Sequence, residues 1–531
     1  MQKRIASFFC LLLVLLGGNI LRILYLTSGG GNVTAATVQS TRTLTVSESR
    51  GNILDRDGEK LVNKGEKRMA LIFPEIADLS LLSELVADES FAERARQSLP
   101  VSVETDGKIL AAKKGVYSYS VPSRYEEPIA VHIIGYLNGG VGVSGMEKAY
   151  NGILKNGAKT KVTYSADATG RVLTGEEISV SCEEPDGKSS VKLTLSTDIQ
   201  KLTETVLKEN LKKGAAVVMD VENGEILAAA SLPDFDPADI SAALNGENSP
   251  FVNRCFTAYP VGSTWKLLLS SVALESGISA SRTYDCRQSI KIEDTVFHCH
   301  WQYGHGEIDM ETALRVSCNP YFIDLGQELG GEKILDMAKN LGFGTPWEYA
   351  PDCFSAAGML PSADELKNKA ALASFSFGQG KLLATPVQMA VLISAIANGG
   401  EAVTPKLVLG TSDENGVFTE SAAYVKNRVM SERTAAKLRK MMVAVVEDGS
   451  GAPAKPEEGS AGGKTASAQT GQYDVDGNEI IDAWFAGFYP ANEPKYAVVV
   501  LAEGMDSGSD YAAPLFKKIC DGINTYLASL V

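Results

Sequence analysis

Three short runs in this 531-residue chain carry side chains able to perform acyl chemistry if the fold brings them together. The first, Ser263-Thr264-Trp265-Lys266, puts a hydroxyl and an amine at i and i+3, on one face of a helix start. Such an amine can take the hydroxyl proton, provided it is neutral part of the time. A helix N-terminus also points backbone N–H groups at a developing oxyanion. By itself this pattern is most often solvated helix surface. The second run, Ser317-Cys318-Asn319, can direct a hydroxyl and an amide from a loop into one cleft; by itself it also reads as a helix cap. The third is Lys464-Thr465-Ala466-Ser467-Ala468. In a strand, Lys464, Ala466 and Ala468 point one way while Thr465 and Ser467 point the other. Taken singly it is a polar edge strand.

The elements that must position these runs are legible in the patterning. Val191 to Leu195 reads as a strand, followed by a helix from Ile199 that Asp198 is placed to cap. Ala215 to Met219 and Glu225 to Ala230 form a strand pair across Glu222-Asn223-Gly224. A largely helical middle follows. Strands return at Ala483 to Tyr489 and Tyr496 to Ala502, and a helix over Ala513 to Ser529 closes the chain. Strands at both ends of a helical middle predict one α/β domain whose sheet joins distant segments. Upstream, Thr41 to Leu61 alternates and turns at Asp57-Gly58, which predicts a hairpin. Residues 78–97 read as an amphipathic helix, residues 142–158 as helix with loops, and residues 28–37 as a flexible stalk.

Hydrophobic residues make up 44% and charged residues 22%, which excludes wholesale disorder and a polytopic membrane protein. A net charge of −15 leaves no sequence-wide basic footprint for nucleic acid. Eight cysteines are too sparse for a disulfide scaffold. Lys3 and Arg4 precede an apolar run, Ile5 to Leu21, of about 26 Å as helix. A cleaved signal peptide begins in the same way, but no small-x-small cleavage site stands where one is expected. The expectation is an uncleaved signal anchor over 5–26, with residues 1–4 in the cytoplasm and the rest outside the membrane. The polar stretch Cys182 to Ser190 marks a boundary between regions 27–185 and 190–531.

Together, in this order and spacing, the three runs resemble the active-site motifs of the penicillin-binding proteins and related β-lactamases. Arg50-Gly51-Asn52-Ile53-Leu54-Asp55-Arg56-Asp57-Gly58 is similar to the opening motif of the pedestal of class B penicillin-binding proteins. His132-Ile133-Ile134-Gly135-Tyr136, Gly145 to Tyr150 and Gly170-Arg171 resemble its later motifs. Asp198-Ile199-Gln200, Asn253-Arg254, Gly378-Gln379-Gly380 and Thr385-Pro386 are similarly placed in the catalytic part. The likeness spans most of residues 40–510. It implies a transpeptidase fold of α/β (α+β) type, an antiparallel sheet flanked by helices with a helical subdomain, behind a transmembrane helix and an elongated pedestal.

The resemblance also implies roles. Ser263 is the acyl-forming nucleophile and Lys266 its general base, with a pKa lowered by neighbouring positive charge such as Lys464. Ser317 relays a proton to the leaving amine, and Asn319 binds the substrate amide. Lys464 supports the serine electrostatically, and Thr465 and Ser467 hold the terminal carboxylate. The backbone N–H groups of Ser263 and Ser467 hold the oxyanion. The reaction implied is cross-linking of peptidoglycan stem peptides with release of D-Ala, and β-lactam antibiotics acylate the same serine. The implied partner is a polytopic lipid II-polymerising glycosyltransferase. Two departures stand out: Ala466 where the family usually has Gly, and Val261 where Pro is commoner. The rivals are a β-lactamase or D,D-carboxypeptidase with the same motifs, disfavoured by the long pedestal, and a β-lactam sensor or scaffold, disfavoured by the complete set of reactive side chains.

Cys286, Cys299, His305 and Cys318 are spaced C-x12-C-x5-H-x12-C. Three Cys and one His make a closed tetrahedral structural zinc set, and some class B penicillin-binding proteins resemble this chain in that loop. The alternatives are a Cys286–Cys299 disulfide, or unpaired thiols in a polar loop. His298 and His300 are alternative ligands. Cys182, Cys255, Cys353 and Cys520 lack ligand spacing and read as buried small apolar residues.

Overall fold

The computed structural model describes residues 2–28, 40–74, 76–77, 100–105, 115–157, 159–167, 172–173, 178–183 and 189–529. The expected helix over 78–97, nearly all of the stalk and the Gly170-Arg171 motif lie outside these. The chain forms two compact units. One comprises Met1–Arg50, Asn63–Arg124 and Asn156–Gly187, the other Gly51–Val62, Tyr125–Lys155 and Lys188–Val531.

In the first unit the chain opens with the helix Gln2–Ser28. Its stretch Lys3–Thr27 is, among the described residues, the one helix long and apolar enough to cross a membrane. Thr41–Glu48 pairs antiparallel with Lys159–Ser165, which pairs with Ser179–Glu183. A second sheet sets Gly65–Ile72 between Val101–Glu104 and Val116–Ser123.

The hairpin expected over 41–61 does not form as such. Thr41–Glu48 finds its partner more than a hundred residues downstream, because alternation marks a strand and not its mate. The turn at Asp57-Gly58 exists, but it belongs to the second unit and closes only the bridge between Leu54 and Lys60. The Asp55 carboxylate accepts the N–H groups of Asp57 and Glu59 at 2.9 and 2.8 Å and shapes that turn.

The second unit is built on an antiparallel sheet in the order Ile226–Leu232, Gly214–Asp220, Tyr496–Ala502, Glu479–Tyr489, Gly462–Tyr473. Both faces are covered, so the central strands are apolar throughout. Ala215, Val217, Val499 and Leu501 face one core with the helices Lys266–Glu275 and Pro386–Ala397. Ala216, Val218, Val498 and Val500 face another with the helices Thr197–Asn210 and Ala513–Ser529. The hairpin through Gly224 and the closing helix stand where the sequence placed them.

Asp198 does not cap its helix. It lies within the first turn of Thr197–Asn210, where its charge suits the helix dipole. The cap comes instead from Asp55, whose second oxygen accepts Thr197 N at 3.3 Å and Thr197 Oγ1 at 2.7 Å. The helical middle also carries small hairpins that no periodicity announced: Ser289–Ile292 with Thr295–His298, and Tyr284–Cys286 with Gly306–Ile308.

Candidate active site

Ser263 stands in a single 3-10 turn, Gly262–Trp265, that runs into the helix Lys266–Glu275. Two glycines permit the turn. Gly262 has φ +53°, a conformation costly to residues with a Cβ. Its N–H donates to the Gly378 carbonyl at 3.1 Å, and a Cβ on Gly378 would stand 1.9 Å from the Gly262 oxygen. Trp265, fully buried against Phe343 and Phe375, fixes the turn from below. One residue on, Lys266 is also fully buried.

Ser317 holds φ +56°, the left-handed region uncommon for a serine. Cys318 occupies the N-cap of the helix Asn319–Leu329, and Pro320 suits its first turn. This geometry turns three oxygens onto one amine. Lys266 Nζ donates to the Ser317 carbonyl at 2.8 Å, Ser317 Oγ at 3.2 Å and Asn319 Oδ1 at 2.7 Å.

On the opposite wall, the edge strand Gly462–Tyr473 carries Lys464, also fully buried. Its Nζ donates to the Thr465 carbonyl at 3.0 Å and to Thr465 Oγ1 and Ser450 Oγ at 3.4 and 3.5 Å. Ser467 Oγ accepts Gly508 N at 3.2 Å. Ala466 packs its methyl towards the turn below Ser263, so that a Cβ on Gly262 would lie 3.3 Å from it.

These residues line one cleft of about 290 Å³, with Ser263, Ser317 and Asn319 on one side and Thr465 and Ser467 on the other. Ser450, Ser507 and Ser509 also line it, and the motif reading missed all three. Their only signal is a serine beside glycine in a short connection. His300 reaches the cleft as well, while His298 is exposed on its hairpin.

Burial pulls the Lys266 ammonium down to about 7, while the thiol groups of Cys318 and Cys299 oppose the shift. This corrects the expected cause. Desolvation acts on Lys266, and the repulsion between the two amines is felt by Lys464. Burial first, then the charge of Lys266, holds the Lys464 pKa well below its ordinary value. About half of this amine is thus neutral at pH 7, 3.2 Å from the Ser317 hydroxyl in the wall of the cleft that Ser263 also lines.

Cys286, Cys299, His305 and Cys318 are brought together, their ligand atoms all within 4.8 Å of one another. The three cysteines are buried, His305 half-buried, and Cys299 Sγ lies 3.4 Å from His305 Nδ1. The thiols of Cys286, Cys299 and Cys318 are free, so the disulfide alternative is not formed. A hydrogen bond from Cys318 draws the Cys299 thiol below its ordinary pKa and raises that of Cys318. This donor set fits one tetrahedral ion of thiolate preference. Cys255, Cys353 and Cys520 are buried as expected; the side chain of Cys182 lies outside the described residues.

A serine hydroxyl, a buried low-pKa amine, a second serine–amide pair and a lysine-bearing edge strand make up the machinery of an active-site-serine acyltransferase. The chain from 214 to 521 matches the family model of the penicillin binding protein transpeptidase domain. The match covers more than half of the chain, which therefore belongs to that family, with the class B penicillin-binding proteins. Among curated relatives, Stage V sporulation protein D of Bacillus subtilis (strain 168) is 29% identical over 522 residues, covering 90% of this chain and 78% of the relative. Peptidoglycan D,D-transpeptidase PbpA of Mycolicibacterium smegmatis is 27% identical, covering 82% and 89%. Among solved structures, Helicobacter pylori penicillin-binding protein PBP2, in complex with MreC, superposes with a TM-score of 0.68 at 23% identity, covering 92% of this chain and all of that one. Penicillin binding protein 3 from Mycobacterium tuberculosis, complexed with aztreonam, gives 0.67 at 24%, covering 92% and 97%. These two likenesses concern the fold.

Proposed function

We propose that this chain is a peptidoglycan D,D-transpeptidase working through a serine acyl-enzyme. Ser263 Oγ attacks the carbonyl of the D-Ala-D-Ala bond in a stem peptide, and neutral Lys266 takes its proton. The proton passes through Ser317 to the departing D-Ala nitrogen. The Ser263 and Ser467 amides hold the oxyanion, Asn319 holds the substrate amide, Lys464 supports the serine electrostatically, and Thr465 and Ser467 receive the terminal carboxylate. An amine from a neighbouring stem then resolves the ester, closing the cross-link and freeing Ser263. A β-lactam opens on the same oxygen and stays attached.

The observation that carries this reading is Lys266: fully buried, drawn to about 7, and bonded to Ser317 and Asn319 at the cleft that Ser263 lines. The test is labelling of the full chain with a fluorescent penicillin. The expected result is one adduct per chain, lost in Ser263→Ala. An unsubstituted chain that takes no label would leave the reading without a nucleophile.

Zinc is the proposed structural ion, with Cys286, Cys299, His305 and Cys318 as its ligands and no part in the acyl steps. Bound there, it pins the 286–305 loop to Cys318 and so steadies the Ser317 and Asn319 on either side. Metal analysis of the unchelated protein is expected to find one zinc per chain; far less than one would leave a thiol cluster. The helix Lys3–Thr27 supports a single-pass anchor. The basic residues at its start support a cytoplasmic N-terminus with the catalytic unit outside. Partnership with a lipid II-polymerising glycosyltransferase is part of the same proposal.

A further inference from the structure

Ser450 joins the two walls of the cleft. Its N–H donates to the Arg315 carbonyl at 3.0 Å, at the end of the helix Met310–Arg315 that leads into Ser317. Its hydroxyl lies 2.9 Å from Thr465 Oγ1 and accepts from Lys464 Nζ at 3.5 Å. The flanking Gly449 packs so closely that a Cβ there would meet Arg315 Cγ at 2.7 Å. The serine is thus held from both sides, and its oxygen has little freedom to wander.

Hydrogen-bond accounting at Thr465 gives this position a consequence. A hydroxyl has one proton and two acceptor lone pairs, whereas an amine such as that of Lys464 donates here. Lys464 Nζ donates to Thr465 Oγ1 at 3.4 Å, and the 2.9 Å contact between the Ser450 and Thr465 hydroxyls can run in either direction. When Ser450 donates, both lone pairs of Thr465 Oγ1 are engaged and the Thr465 proton is left to point outwards. The cleft it faces is lined, among the described residues, by hydroxyls, one amide and one imidazole, with no carboxylate and no guanidinium. A carboxylate entering there meets a donor already aimed at it. Donors chained in this way polarise one another.

We infer that Ser450 is a positioning residue that fixes the Thr465 hydroxyl as donor to the carboxylate of the acylating substrate. The inference rests on the reading of this cleft as a D-Ala-D-Ala site and extends it to a residue outside the three motifs.

The test compares second-order acylation of the full chain by benzylpenicillin and by its methyl ester, which keeps the reactive ring and loses the anion. Ser450→Ala is expected to slow the acid by roughly tenfold and the ester by less than about twofold, the difference corresponding to one hydrogen bond to a charged group. Ser450→Thr, which keeps the hydroxyl, is expected to restore the acid. Equal losses for acid and ester, or no loss for either, would overturn the inference. A failure of the unsubstituted chain to acylate with either compound is a different result: it removes the transpeptidase reading itself.

Discussion

The turn that carries Ser263 and Lys266 and the loop that carries Cys299 and His305 adjoin one cleft, yet they are held by opposite means. The turn is seated in hydrophobic core. Trp265, Leu267, Leu268 and Leu269 are all fully buried around it. The loop is made of three- to four-residue strand pairs with little to bury, and Val296, Trp301 and Tyr303 are exposed on it. Its buried anchors are Cys286, Cys299 and Cys318. Packing supplies rigidity on one side, and under the zinc proposal ligand atoms supply it on the other. A buried polar group therefore has opposite meaning in the two regions. Lys266 is a desolvated amine whose burial costs stability and whose proposed use is chemistry. His305 is a half-buried imidazole whose proposed work is to hold a metal and, through it, the loop.

The contrast breaks most sharply at Lys266. Lys266→Met is expected to lower the acylation rate by roughly 10²- to 10⁴-fold, the usual worth of a positioned base. The same change is expected to raise the melting temperature, because an apolar chain replaces an amine that burial penalises. Stopped-flow acylation and thermal unfolding check the two halves, and a fall in both would put Lys266 in the scaffold. The loop should respond with the other sign. His305→Ala is expected to lower the melting temperature, at about 2–4 °C per kcal/mol lost. A chelator is expected to destabilise the unsubstituted protein and leave the variant unmoved. Equal chelator effects on both would detach His305 from the metal. The smallest effect belongs to Ala466. It lines the cleft, but its methyl is almost fully buried and packs towards the Gly262 turn. Ala466→Gly is therefore expected to change acylation by no more than about threefold and to cost about 0.5–1 kcal/mol of stability in strand entropy, as read by acylation kinetics and denaturant unfolding.

The same division explains what the sequence disclosed. Ser263, Lys266, Ser317, Asn319 and Lys464 were legible because the residue types and their order over two hundred residues are specific together. The clustering of Cys286, Cys299, His305 and Cys318 was legible because Cys and His are rare in this chain and these four stand close together in sequence. The central strands were legible because a sheet covered on both faces leaves unbroken apolar runs such as Val498-Val499-Val500-Leu501. Ser450 was hidden. A serine in a two-glycine connection has no periodicity, and its position comes from Arg315 and Thr465, far away in sequence. Asp55 was hidden in the same way: its motif was visible, but not that its carboxylate caps a helix 142 residues on. Pairing partners, the mate of Thr41–Glu48 among them, are likewise set by tertiary packing.

The central claim is that Lys266 is a neutral base at working pH, and its titration is the most direct test. The amine must lose its proton to act, so the active fraction falls as pH drops below the pKa and levels off above it. With the value drawn to about 7 by burial, the second-order acylation rate by a penicillin should fall about tenfold per pH unit below 7 and run flat above 8. A profile still climbing through pH 9, as an ordinary lysine near 10.5 requires, would contradict the account.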